Sequence, residues 1–285
     1  MKHTTKRISA LLLALTLLLT VMSGCGSTTP AAAGATAAPT AAAAEVPAAE
    51  DPAAAPADAP VIEGLTFTEE SPLKYATVFR LFRYEGGYTL IRIDNGGDFL
   101  VVPEGAAVPA KMDSSVTVLQ QPLDKIYLAA TSAMSLFAAV DALDHIRLTG
   151  TRESGWYIDA AVEAMQRGDI EFAGKYSEPD YERLIDEECD LAIESTMIYH
   201  TPKVKEMIED LGIPVLVDRS SYEQHPLGRT EWIKLYAALV GKDAEAAEFF
   251  DQQAAIITQL KDFENTGKTV AFFFVNSDGS IVIRK

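Results

Sequence analysis

Between Tyr75 and about Val118 apolar and polar positions alternate in short runs separated by glycine-bearing turns. Tyr75 to Tyr84 and Tyr88 to Ile93 flank Glu85-Gly86-Gly87, and Asp94-Asn95-Gly96-Gly97 leads into Phe99 to Val102. Paired glycines supply the positive φ that tight hairpins need, so the pattern predicts a small antiparallel β-meander over 63–118. A sheet of that size holds little core alone and is expected to pack against the rest of the folded chain.

From Lys125 the period changes to short apolar runs alternating with amphipathic stretches. Runs at Ile126–Ala130, Ile146–Leu148, Ile170–Phe172, Leu191–Ile193 and Ile213–Val217 read as strands. Between them, helices are predicted from Thr131 or Ser132 as N-cap with Met134, Phe137, Val140 and Leu143 on one stripe. Further helices span Tyr157–Arg167, stopped by Gly168; a stretch opened by Pro179; and one from Thr201-Pro202 to Leu211-Gly212. Strands alternating with helices imply a parallel, doubly wound α/β lobe over 119–242. Its last helix is expected over 229–240, capped by Gly241, and a longer one over 243–264 carries Phe249, Phe250, Ile256, Ile257, Leu260 and Phe263 on one face. That long helix can bridge two lobes or lie along the same sheet. Val270 to Val275 then forms a continuously apolar strand, and Asn276 to Gly279 a turn into Ile281–Ile283. A strand apolar on both faces needs cover on both, so 265–285 is expected to begin a second α/β lobe that is truncated here.

The amino-terminal part is of another kind. Lys2, Lys6 and Arg7 precede the apolar run Ile8–Met22, which is shorter than the ~20 residues of a spanning helix and has the plan of a signal peptide over 1–24. Residues 25–62 are rich in Ala and Pro, and every Phe, Tyr and Trp of the chain lies at or after Phe67. With nothing to bury, that tract reads as a disordered tether. The formal charge is −17, and it becomes three charges more acidic without the leader's cations. A balance of that sign argues against a nucleic-acid backbone as partner and leaves cationic ligands, metal complexes and basic proteins open. Of the two cysteines, Cys189 sits in an apolar context and is expected to be an inert buried thiol.

The common enzyme signatures are missing: the sequence has no GxSxG, HExxH, P-loop or CxxC. In a doubly wound sheet ligands lie outside the carboxyl ends of the strands. The candidates are therefore the loops after each strand, where aromatic, arginine and histidine side chains gather: Thr131 and Ser132; Arg152, Glu153, Trp156 and Tyr157; Lys175 and Tyr176; Ser195 to Met197, Tyr199 and His200; and Arg219 to Glu223, His225 and Arg229. Rings supply contact area and arginines read carboxylate or catecholate oxygens, which suits a large planar or anionic ligand. Trp156, Tyr176, Tyr199, His200, Arg219 and Tyr222 are taken as the ligand-binding set. For each a structural role is the alternative: core for Trp156, a helix flank for His200, pairing with Asp218, Glu223 or Glu231 for Arg219 and Arg229. Whether Tyr199 or His200 contacts a metal is left open.

Two resemblances sharpen this reading. Val21–Cys25 (VMSGC) resembles the lipobox of bacterial lipoproteins, which implies lipidation at Cys25 and a membrane-anchored, extracytoplasmic chain. The segments Ala173–Glu182 (AGKYSEPDYE), Asp190–His200 (DLAIESTMIYH), and Arg219–Tyr222 (RSSY) through to Glu231–Lys234 (EWIK) resemble the substrate-binding lipoproteins of ABC importers with a helical backbone, the receptors for ferric siderophores, haem and vitamin B12. The resemblance covers roughly residues 115 to 285, and the meander is an addition to the family pattern. It implies two near-rigid lobes joined by the long helix, a ligand between them (an iron chelate, haem or cobalamin), no resident cofactor and no catalysis. It also implies a docking glutamate, here Glu182, for an ABC permease coupled to ATPase subunits. A surface-anchored metal-dependent enzyme on the same scaffold, or an adhesive lipoprotein working through the meander, are the alternatives from other classes.

Overall fold

The computed structural model describes residues 59–260, 263–264, 266–276 and 278–284. The leader, Cys25 and nearly all of the tether lie outside the described residues.

The first sheet holds β1 (Phe67–Glu70), β2 (Phe79–Tyr84), β3 (Thr89–Ile93), β4 (Gly97–Val102) and β5 (Val116–Gln120) in that order. β1 to β4 pair antiparallel, with Phe82 opposite Leu90 and Leu90 opposite Leu100. The expected meander is wholly antiparallel, but β5 runs parallel to β4. The segment joining them crosses over rather than turning back. Alternation places Phe79, Leu81, Ile91, Ile93, Phe99 and Val101 on one face, inside the largest core of the protein. Phe82, Tyr84, Leu90, Leu100 and Val102 lie on the other face, under Ile62. The sheet is thus buried on both sides, and its inner face shares one core with the α/β lobe: the Phe79 ring stands edge-on to Trp232 at 5.1 Å.

The lobe continues the chain as β6 (Ile126–Leu128), α1 (Thr131–Ala139), β7 (Ile146–Thr149), α2 (Asp159–Arg167), β8 (Glu171–Phe172), the small hairpin β9 (Gly174–Lys175) and β10 (Glu178–Pro179), α3 (Tyr181–Asp186), β11 (Leu191–Ser195), α4 (Pro202–Asp210) and β12 (Val215–Asp218). The strands are parallel in the order β12-β11-β6-β7-β8. Ile126, Leu128, Leu191, Ile193 and Leu216 face Met134 and Phe137 of α1 and Ala161 and Ala164 of α2. Tyr127, Leu148, Ala192, Val215 and Val217 face Leu184 of α3 and Ile208 of α4. Helices on both faces and a reversal of strand order make the lobe doubly wound, with its switch point between β6 and β11.

Local details differ from the sequence reading for identifiable reasons. The hydroxyl of Ser132 does not cap α1 but bonds Asp218, leaving Ala130 at the cap position. Asp180, not Pro179, opens α3, its carboxylate accepting from the Arg183 N–H. The helix expected over 229–240 is two: α5 (Pro226–Glu231), with proline in its first turn and the His225 imidazole accepting from the Leu227 N–H at 3.1 Å, and α6 (Ile233–Val240), ended by left-handed Gly241. α7 (Asp243–Leu260), about 27 Å long at 1.5 Å per residue, buries Ala246 and Phe250 but leaves Ile256, Ile257 and Leu260 exposed. The hairpin β13 (Phe272–Val275) and β14 (Ile281–Arg284) exposes its phenylalanines, isoleucines and valines.

Beside the shared core, two buried carboxylates tie the first sheet to the lobe. The fully buried Glu231 carboxylate accepts the backbone N–H groups of Lys74, Tyr75 and Ala76 at 2.7 to 3.0 Å and the Lys234 ammonium at 2.8 Å. Glu223, also buried, accepts the N–H groups of Thr77 and Val78, the Thr77 hydroxyl and the Trp232 indole N–H. The segment between β1 and β2 makes no ladder with a neighbour over these residues, and the two carboxylates satisfy its donors instead. Gly228 allows the approach: a Cβ there would stand 3.0 Å from the Tyr75 carbonyl oxygen and 3.2 Å from Glu223. Removing a buried acceptor orphans its donors at a cost of about 1–3 kcal/mol each. Glu231→Ala is therefore expected to destabilise the protein by at least about 3 kcal/mol, seen as a lower midpoint in urea unfolding, whereas alanine at exposed Glu248 should leave the midpoint where it is.

Candidate functional site

The carboxyl ends of β6, β11 and β12 open into a cleft of about 300 Å³ lined by Ser132, Ser135, Ser195, Thr196, Asp218, Ser220 and Arg229 among others. It lies at the switch point, where neighbouring crossovers leave on opposite faces of the sheet and the loops part. Asp218, nearly buried at the end of β12, organises its floor. One carboxylate oxygen accepts the Ser132 hydroxyl in a short hydrogen bond and the other accepts the Ser220 N–H at 2.7 Å. Below it, burial and then the charge of Asp218 push the Tyr236 phenol well above its ordinary range, so that it stays protonated. The Ser195 hydroxyl accepts the Met197 N–H and starts the 3-10 turn Thr196–His200. The surface offered to a ligand is rich in hydroxyl groups on one stretch of wall and cationic on the next.

The cations come from three loops. Arg219 follows β12 and lays its guanidinium 4.3 Å from the centre of the Tyr222 ring. Arg229 on α5 donates to the Ser221 carbonyl oxygen at 3.0 Å. Arg152 follows β7 and stands 4.3 Å over Phe172, in a second cleft of about 610 Å³ at the ends of β7 and β8 shared with Gly150, Gly174 and Lys175. None of the three has a carboxylate within 4.0 Å among the described residues. The acid pairing that was the alternative for Arg219 and Arg229 is not formed, because the acids are taken: Asp218 by Ser132 and Ser220, Glu223 and Glu231 by residues 74–78. By contrast Arg80, Arg83, Arg92, Arg147, Arg167 and Arg183 all form ion pairs. The β3–β4 turn reaches the same edge, where a Cβ on Gly96 would stand 3.4 Å from Arg219 Cδ.

The six residues taken from the sequence as ligand-binding divide. Arg219 and Tyr222 stand together in the loop after β12, next in sequence to the crevice-lining Ser220 and Ser221, with Tyr222 51% exposed. Tyr199, 44% exposed, and His200, also exposed, share the turn after β11. Tyr176 is half-buried against the α3–α4 side of the sheet. Trp156 is a core residue, 8% exposed, its indole N–H donating to the Thr151 carbonyl oxygen at 3.2 Å, and so offers a ligand no open ring face. Asp218 and the serines around it were not in the ligand-binding set. The signal available was a polar residue ending an apolar strand, in Val215-Leu216-Val217-Asp218.

Glu182 is exposed in the first turn of α3. Cys189 is buried and unpaired, and burial pushes its thiol up to about 12, which removes it as a nucleophile or metal ligand near neutrality. No group of three or more His, Cys, Asp or Glu side chains among the described residues is placed to hold a metal ion. No described helix is long and apolar enough to cross a membrane.

No family model matches the chain. An uncharacterized lipoprotein of Methanocaldococcus jannaschii is 24% identical over 209 residues, which are 63% of this chain and 49% of that protein. The chain thus spans about half the length of the curated relative it matches. Among solved structures, the periplasmic haem-binding protein HutB of Vibrio cholerae is similar with a TM-score of 0.44 at 18% identity, over 55% of this chain and 57% of that one. The petrobactin-binding protein YclQ of Bacillus subtilis gives 0.45 at 13% identity, over 56% and 53%. The siderophore-binding protein BauB, bound to two acinetobactin molecules and ferric iron, gives 0.46 at 11% identity, over 57% and 56%.

Proposed function

We propose that this chain is an extracytoplasmic substrate-binding lipoprotein of an ABC importer, capturing an iron complex (ferric siderophore or haem) or a corrinoid at the carboxyl-end crevice and delivering it to a permease coupled to ATPase subunits. The observation that carries this is the trio Arg152, Arg219 and Arg229, without carboxylate partners at one edge of a strongly acidic protein. A guanidinium left unpaired beside a cleft is available to carboxylate, catecholate or propionate oxygens. It therefore favours the anionic members of the class over cobalamin. Tyr222 holds the Arg219 guanidinium by its ring face, which orients the donors without neutralising them. Burial of the other acids in structural roles keeps negative charge off the crevice floor, Asp218 excepted. In this reading the exposed apolar half of α7 and the β13–β14 hairpin pack with a second lobe that closes the ligand from the other side. Lipidation at Cys25 anchors the chain, the tract before the first sheet gives it reach, and exposed Glu182 docks on basic permease loops.

The full chain is expected to bind a ferric siderophore or haem with a Kd near or below ~1 μM, measured by tryptophan fluorescence titration. Arg219→Ala should weaken binding about tenfold, the worth of one charge-assisted contact, and flatten its dependence on salt; unchanged affinity and salt slope would remove the arginines from the site. Glu182→Arg should leave that Kd unaltered and reduce uptake by cells carrying the transporter, and a variant with impaired binding would instead place Glu182 in the pocket. Cys25→Ala should move the protein from the membrane fraction to the soluble one, with continued membrane association counting against the anchor.

A further inference from the structure

Glu194 is as deeply buried as Glu231, with 0% exposure, yet it is treated in the opposite way. It lies on β11, flanked on both sides by parallel strands, one residue before Ser195 of the crevice wall. Alternation along β11 turns it to the side of Ala192, toward α3 and α4. Neither carboxyl oxygen has a hydrogen-bond partner, and among the described residues no lysine, arginine or histidine pairs with it. The lining of that side is apolar or neutral. β12 contributes Val217, α4 Ile208 and the turn after β11 Ile198; the titratable groups are Tyr127 from β6, Tyr176 from the β9–β10 hairpin, Tyr181 from α3, and the thiol of Cys189 ahead of β11. The Tyr127 hydroxyl donates a hydrogen bond to the Gly174 carbonyl oxygen at 3.1 Å. The Tyr127 and Tyr181 phenols are held above their ordinary range, first by burial and then by the nearby acid, so they are neutral too.

A bare carboxylate in such surroundings is very unfavourable, whereas a carboxylic acid is tolerated. We propose that Glu194 is a neutral carboxylic acid in the folded lobe at physiological pH and serves as a pH-sensitive latch, its ionisation on the alkaline side loosening α3 and α4 from the sheet and disturbing the adjoining crevice wall at Ser195. Burial pushes this group up to about 8 from an ordinary carboxyl value of 4.5. Between those values the folded protein holds a proton that the unfolded chain has released. Stability is therefore greatest below the unfolded value, falls as pH rises toward about 8, and levels off above it. This inference does not rest on the proposed transport role, and its test needs no ligand.

The experiment compares urea unfolding of the full chain with that of Glu194→Gln, which keeps the shape and carries no charge at any pH. From about pH 5 to about pH 8 the unfolding constant of the parent should rise relative to the variant by up to about tenfold per pH unit. The variant should then be the more stable of the two at the alkaline end. A difference between the two proteins that does not change with pH overturns the latch. Should the glutamine variant fail to fold, infrared spectroscopy of the parent decides. A protonated carboxylic acid band present at neutral pH and lost on the alkaline side supports the proposal. Its absence at neutral pH, as for a carboxylate paired with an ion or water, overturns it.

Discussion

The architecture depends on the grip of Glu223 and Glu231 on the backbone of residues 74–78. A chain segment that enters a core without strand partners brings donors that water can no longer reach. Two carboxylates from the region of α5 answer them with charge-assisted bonds across some 150 residues of sequence. The contact sets the angle between the first sheet and the lobe, because β2 leaves directly from it and Phe79 meets Trp232 close by. With β2 and β3 held there, the β3–β4 turn comes up against Arg219 in the loop after β12.

The same economy of charge shapes the site. A protein this acidic has carboxylates to spare for its arginines, and six of them are paired. Around the β6–β11–β12 crevice four acids are withdrawn: two into the backbone grip, one into the serine-lined floor, and one, Glu194, into an apolar side where it has no hydrogen-bond partner among the described residues. Among the described residues, Arg152, Arg219 and Arg229 are left with ring faces and a carbonyl oxygen in place of carboxylates. Three cations without carboxylate partners among the described residues thus stand at one edge of an acidic molecule. In the proposed reading, that arrangement concentrates an anionic ligand at one place while the remaining acidic surface repels it.

Much of this could be read from residue order alone. Period-two alternation located β2, β3 and β4, paired glycines located their turns, and the change to alternating apolar runs and amphipathic stretches identified the doubly wound lobe, because each of these patterns is a local property of a dozen residues or fewer. The position of the candidate edge came with them, since the carboxyl ends of parallel strands are known once the strands are. The helix expected over 229–240 starts earlier, at Pro226, because the His225 cap and the proline after it open a turn ahead of the apolar stripe.

Only the tertiary structure decided which side chains meet. The strand order, and with it the switch point between β6 and β11, depends on pairings between segments far apart in the chain. Trp156 looked like a ligand wall and is core, because burial is set by neighbours from α2 and the sheet rather than by its own surroundings in sequence. Glu194, Glu223 and Glu231 are three glutamates of identical chemistry: two are saturated with donors and one has none. No local pattern separates them, because the energy of a buried charge is determined by the groups brought to it through space, and those come from the other end of the fold.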